Sequence, residues 1–209
     1  MRKIFHEILK HYGERRREIE ERLGEFARFD RRDRERVFNE LAFCLCTPQT
    51  KAKSAFKAVC YLSESGLLWN GSKRQVAYIL RRFGVRFHNV KAGHIVYNRR
   101  KVGQLIPLLD NVDGRVLREI LVREVKGFGM KEASHFLRNI GYSDVAIIDR
   151  HILRWMKRLG YIRRLPRRID SETYVELERR FFRMAGDMGL RGCILDMVLW
   201  SASTGEVFK

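Results

Sequence analysis

Apolar side chains recur along this chain at intervals of three and four residues, the spacing that places them on one side of an α-helix. Ile4, Phe5, Ile8, Leu9 and Tyr12 form the first stripe. Ile19, Leu23 and Phe26 keep the spacing through a strongly charged segment around Arg15-Arg16-Arg17. The cluster Asp30-Arg31-Arg32-Asp33 interrupts the pattern and marks a boundary. From Arg34 to Cys46 the core spacing is nearly continuous, with Val37, Phe38, Leu41, Ala42 and Leu45.

Pro48 cannot extend that helix. The loop Thr47-Pro48-Gln49-Thr50 leads to a helix over 51–66 (Ala52, Ala55, Phe56, Val59, Cys60), which Thr50 or Thr47 is placed to cap. Shorter helices are predicted around Val76-Ile79-Leu80-Phe83 and Ala92-Ile95-Val96, before Pro107 and Asn111-Val112-Asp113-Gly114 punctuate the chain. Later come a helix with Ile152, Leu153, Met156 and Leu159 that stops at Gly160, and one capped by Ser171 that carries Tyr174, Leu177 and Phe181. A last helix with Ile194, Met197 and Val198 reaches Trp200. No segment sustains strand alternation, so the expected fold class is all-α.

One junction is unusual. Arg115 to Val125 reads as a helix with Val116, Leu117, Ile120 and Leu121 on one face, and Ala133, Phe136, Leu137 and Ile140 mark the next. Only Gly127-Phe128-Gly129 lies between them. Two glycines in three residues permit positive φ and leave backbone N–H groups unshielded. These groups open onto a helix amino end, an anion site suited to a DNA phosphate. The unit over 115–140 is thus a helix–hairpin–helix, with Gly127 and Gly129 as its DNA-binding residues.

Two side chains nearby ask for more than a structural role. Lys131 sits in the first turn of the second helix, where the macrodipole disfavours a cation and favours a more nucleophilic neutral amine. Its ordinary reading is a solvated lysine or a phosphate contact. Asp149 ends the apolar run Val145-Ala146-Ile147-Ile148 and precedes a helix. Its ordinary reading is an N-cap.

The wording G-F-G-M-K-E-A, with an aspartate 18 residues after the lysine in I-I-D-R-H, resembles the signature of the helix–hairpin–helix base-excision DNA glycosylases. The block K-E-A-S-H-F-L-R-N-I-G-Y, then D-V-A-I-I-D-R-H-I-L, is most similar to the second, compact, archaeal-type family of 8-oxoguanine DNA glycosylases. The departure is that Ile148, not proline, precedes Asp149.

The resemblance implies a bifunctional glycosylase/AP lyase. Lys131 and Asp149 are then catalytic, and the partner is double-stranded DNA with an oxidised base or an abasic site. It further implies that Gln49 fills the gap left by a flipped nucleotide, against an ordinary reading as an exposed turn residue. Trp200 and the C-terminal carboxylate of Lys209 are implied in base recognition, where a tryptophan supplies a stacking face and a carboxylate accepts N–H groups. The ordinary alternatives are a core tryptophan and a frayed end. Lys91-Ala92 after Phe87 also fits the superfamily. The architecture expected is two helical lobes with a DNA cleft between them, 1–30 with 149–209 and 31–148, and the hairpin at the cleft lip. A monomer is expected.

Composition narrows the partners without changing this picture. Lys and Arg outnumber Asp and Glu by 43 to 25, a formal net charge of +18, which favours a polyanion. A basic surface also suits acidic lipid or protein. No apolar run of about 18 residues and no signal-peptide pattern is present, so an intracellular protein without a membrane span is expected. Cys44, Cys46, Cys60 and Cys193 match no zinc or iron–sulfur spacing, and the six histidines form no ligand pattern. No transition metal and no cofactor is therefore expected, although hairpins of this family often bind a monovalent cation through carbonyls. Two rival functions stay open, an oxidised-pyrimidine glycosylase/lyase and a non-catalytic DNA-binding module. The second requires neither the lysine nor the aspartate.

Overall fold

This computed structural model describes residues 2–209, and among them there is no strand. The helices are α1 (Arg2–Ala27), α2 (Arg34–Cys46), α3 (Ala52–Glu64), α4 (Leu67–Asn70), α5 (Lys73–Arg82) and α6 (His88–Asn98). They continue with α7 (Val102–Leu105), a 3-10 turn at Ile106–Leu108, α8 (Gly114–Glu124), α9 (Met130–Asn139), α10 (Arg150–Arg158), α11 (Ser171–Asp187) and α12 (Gly192–Thr204). The all-α expectation holds. The two predicted N-terminal segments are one 26-residue helix, whose buried Ile8, Ile19 and Phe26 recur at whole numbers of turns. Its Arg15, Arg16 and Arg17 pair with Glu18, Glu20 and Glu21.

The chain divides into two compact units, Met1–Phe29 with Leu137–Lys209, and Asp30–Phe136. The second crossing thus falls inside α9, where the sequence reading placed it at 148/149. Residues 137–148 are tied to the terminal unit by specific bonds. Ala146 N–H donates to Glu178 Oε1 at 2.8 Å, Ile148 N–H donates to the Tyr174 hydroxyl at 3.0 Å, and that hydroxyl donates to the Ala146 carbonyl at 2.8 Å.

In the terminal unit α12 is the central helix and packs with α1, α10 and α11. Its residues Cys193 to Leu199 are all buried, which explains why its apolar pattern is not confined to one face. In the other unit α2 has that role against α3, α6 and α7, with Leu41 to Cys46 continuously buried.

Several caps differ from the sequence reading. Asp170, not Ser171, caps α11, its Oδ1 accepting the Thr173 N–H at 2.9 Å. Neither Thr47 nor Thr50 caps α3, whose N-cap Lys51 makes no side-chain capping bond. Thr47 instead donates back to the Cys44 carbonyl, and the Thr50 hydroxyl is engaged by Lys91 and Arg86. The short α4 and α7 escaped the pattern because one helical turn carries too few residues to show a period.

Candidate active site

The hairpin between α8 and α9 is held by α6. Asn98 is fully buried, and its side chain clamps Lys126 at both backbone groups, Nδ2 donating to the carbonyl at 2.9 Å and Oδ1 accepting the N–H at 3.0 Å. Four residues earlier on α6, His94 lies under Gly127. Gly127 has φ 96, and a Cβ there would overlap the imidazole, 2.8 Å from Cγ and 2.9 Å from Cε1. Burial, and then the nearby Lys126 cation, lowers the pKa of His94. Phe128 is buried against Phe136, with ring centroids 6.1 Å apart. Behind them the buried Arg118 donates to Ser134 at 3.2 Å and joins α8 to α9. His94 and Asn98 were missed in the sequence. Their i, i+4 spacing on a helix face was the one available signal.

Gly127 therefore has two reasons to be glycine, its left-handed backbone and the ring beneath it. Replacing it by alanine is expected to cost about 2–4 kcal/mol of stability from strain and displacement of His94. It should also weaken binding to undamaged duplex. Chemical denaturation and a salt-dependent binding titration check both effects, and a variant unchanged in each contradicts this hairpin geometry.

The two glycine N–H groups are not equivalent. That of Gly129 donates to Glu132 Oε2 at 3.2 Å, a bond that ties the hairpin to the first turn of α9. The N–H of Gly127 has no protein acceptor among the described residues, and it is the donor of the pair available to an anion. The sequence reading gave both N–H groups to DNA. Glu132 was the overlooked competitor.

The same carboxylate meets Lys131, whose Nζ lies 2.8 Å from Glu132 Oε1. The lysine side chain is 35% exposed, so it is open to a substrate and not buried. An amine in this position can be held in one direction by Glu132.

Gln49 is exposed and lies at φ 55, in the left-handed region that non-glycine residues seldom adopt. The loop around it is gripped by Lys91 of α6, and Lys91 also feels the charge of Lys131. Phe87, which opens α6, is likewise at positive φ (56) and is 53% exposed with Arg86 over its ring. Within this unit, Lys91 feels the charges of Lys131 and Glu132, and it also holds Pro48 and Thr50 on either side of Gln49.

The terminal unit carries Asp149, Trp200 and Lys209. Asp149 is the N-cap of α10, its Oδ1 accepting the Ile152 N–H at 2.8 Å. The buried run Val145–Ile148 before it is strapped to α11 by Tyr174 and Glu178. Because Ile148 is not proline it retains an N–H, and the Tyr174 hydroxyl is the acceptor that this group needs. A second carboxylate stands behind Asp149. Burial, with the charge of Asp149 adding, pushes Asp196 up to about 6 while Arg138 opposes the shift. Arg138 Nε is 3.6 Å from Asp196 Oδ2, and both side chains are buried.

Trp200 is half-buried on α12. After α12 the left-handed Gly205 (φ 81) turns the chain, Arg15 holds the Gly205 carbonyl at 3.1 Å, and Val207 is buried. Lys209 is half-buried, so the tail does not dangle as a frayed end would. The loop from Arg163 to Arg168 exposes its four arginines. Cys44, Cys46 and Cys193 are buried free thiols, and Cys60 is half-buried. Among the described residues no group of three His, Cys, Asp or Glu is placed to hold a metal, and no helix is long and apolar enough to cross a membrane.

Known proteins resemble this chain over most of its length. The sequence profile of the 8-oxoguanine DNA glycosylases matches residues 19–190. An 8-oxoguanine DNA glycosylase/AP lyase of Metallosphaera sedula is 42% identical, over 90% of this chain and 92% of its own. The crystal structure of the 8-oxoguanine DNA glycosylase of Thermotoga maritima superposes with a TM-score of 0.91 at 34% identity and covers 100% of both chains. The Methanocaldococcus jannaschii 8-oxoguanine glycosylase/lyase, in complex with a 15mer DNA containing 8-oxoguanine, gives 0.91 at 33% identity over 99% of each chain. The chain belongs to the 8-oxoguanine DNA glycosylase family.

Proposed function

We propose that this protein excises 8-oxoguanine from duplex DNA and then cleaves the strand at the resulting site, as a bifunctional glycosylase/AP lyase acting inside the cell. The observation that carries the reading is the accessible amine of Lys131, presented in the first turn of α9 directly after an anchored hairpin.

The glycosidic carbon of a stacked nucleotide is out of reach, so the lesion must leave the duplex. Gln49, on its strained and exposed loop, takes the vacated space. The Gly127 N–H and the basic surface hold phosphates without reading sequence. Lys131 then forms a bond from Nζ to C1′. The C1′–N9 bond breaks with its electron pair going to the purine, which takes up a proton. Asp149 stabilises positive charge on the sugar and helps orient the amine. Ring opening moves the C1′–O4′ pair to O4′, which is protonated, and leaves an iminium at C1′. Loss of a C2′ proton expels the 3′ phosphate, and water releases the sugar fragment from Lys131. Trp200 and Lys209 are assigned to the flipped base.

Two duplexes test the reading, one with 8-oxoguanine opposite cytosine and one with an oxidised pyrimidine at the same position. Under single-turnover conditions the purine lesion should be released at least about tenfold faster. Faster release of the pyrimidine would keep the chemistry and overturn the substrate. Binding to both without release would leave only a DNA-binding module.

A further inference from the structure

The loop between α2 and α3 carries Gln49 at φ 55, and one buried cation accounts for how that conformation is held. Lys91 is 5% exposed. Its Nζ donates to the Cys46 carbonyl at 2.8 Å, the Pro48 carbonyl at 2.7 Å and Thr50 Oγ1 at 3.0 Å. An ammonium has three donors, and all three are spent here. One acceptor is the last residue of α2, where the helix dipole favours a cation. The other two flank Gln49. Thr50 Oγ1 also accepts the Arg86 N–H at 3.1 Å, so the loop is fastened to the segment that opens α6.

We propose that Lys91 is a positioning residue that holds the 47–50 loop in the conformation presenting Gln49 to DNA. The proposal rests on the reading of Gln49 as the residue that enters the duplex. A buried lysine is costly to desolvate and is kept only where its donors are used. A methionine of similar length would fill the space but take the ammonium from both carbonyls, leaving Pro48 only the long 3.4 Å bond from the Thr50 hydroxyl.

The charge of Lys91 is sensitive to pH in a useful range. Burial, with the Lys131 and Arg86 cations adding, lowers its pKa to about 8, against the opposing pull of Glu132. Cys46 itself is pushed up to about 12 by burial, so it remains a thiol. Above about pH 8 the amine has two N–H donors for three acceptors. The sign for global stability is opposite: between about 8 and the ordinary 10.5 the unfolded chain binds more protons, so the Lys91 contribution to folding rises with pH. Loss of loop function in this window is therefore separable from unfolding.

The test compares two rates on one duplex sequence, excision of 8-oxoguanine and cleavage at a preformed abasic site. The second needs Lys131 equally but less help in opening the duplex, because an unpaired site costs least to extrude. Lys91→Met should lower the ratio of excision to abasic cleavage roughly 30-fold. The wild-type ratio should fall about threefold from pH 7 to 9, and that of Lys91→Met should stay flat. Thr50→Val keeps the lysine, removes one acceptor and should lower the ratio about threefold, so the proposal stays testable if Lys91→Met folds poorly. Gln49→Ala in parallel separates the two ideas. A normal ratio in Lys91→Met or Thr50→Val, with Gln49→Ala impaired, overturns the role of Lys91 alone. A normal ratio in Gln49→Ala overturns the reading beneath it.

Discussion

Lys131→Gln is expected to remove base excision and strand cleavage together, each by at least about 10³-fold, while affinity for duplex DNA stays within about threefold of wild type. The amide keeps most of the length of the side chain and its place at the start of α9, but it has no lone pair fit to form an imine. The contact of Lys131 with Glu132 is one partly exposed ion pair, and such pairs contribute little to folding, so the variant should melt normally. The hairpin's links to α6, through Asn98 and His94, do not involve Lys131, and neither does the Gly127 N–H proposed to hold a phosphate. A single-turnover assay beside a binding titration checks the split. A variant that still opens a preformed abasic site at the wild-type rate would take the nucleophile's role away from Lys131.

Asp149→Asn separates the N-cap role that the structure shows from the catalytic role proposed for this residue. As an N-cap, asparagine is about as good as aspartate, because either oxygen can accept the Ile152 N–H. In the proposed role beside a sugar that becomes positive, it is far worse, because the amide carries no charge. The expected result is an unchanged melting temperature with excision lowered roughly 10²–10³-fold. Asp149→Ala should lose the cap as well, at about 1 kcal/mol, and melt roughly 2–4 °C lower. Melting curves and single-turnover rates on the two variants decide the matter. Full activity in Asp149→Asn would reduce this residue to its structural role.

The parts of this fold that the sequence revealed are those written in a repeating period. The nearly continuous apolar run of α2 declared a helix and its buried side, whereas α1 read as two segments and its predicted stripe included Leu9, which is exposed. The hairpin was legible because glycine is chosen for backbone reasons that leave few alternatives, and Gly127 bears this out twice over. Long-range polar partners left no such mark. Nothing local to Gly129 says that Glu132 accepts its N–H, and nothing local to Thr50 says that Lys91, 41 residues away, recruits its hydroxyl. The cap of α11 was misplaced by one residue because Asp170 and Ser171 are both good caps and only geometry chooses between them. The exchange at the start of α10 shows the same limit. The missing proline before Asp149 was visible, but the Tyr174 hydroxyl that serves the extra N–H comes from another helix.

Borohydride reduction in the presence of a duplex carrying one 8-oxoguanine opposite cytosine tests the central claim most directly, because it captures the lysine–sugar imine as a stable covalent bond. The expected result is a single protein–DNA adduct whose modified peptide contains Lys131, and no adduct with Lys131→Gln. An adduct that maps to another amine, or persists at the wild-type level in Lys131→Gln, would contradict it.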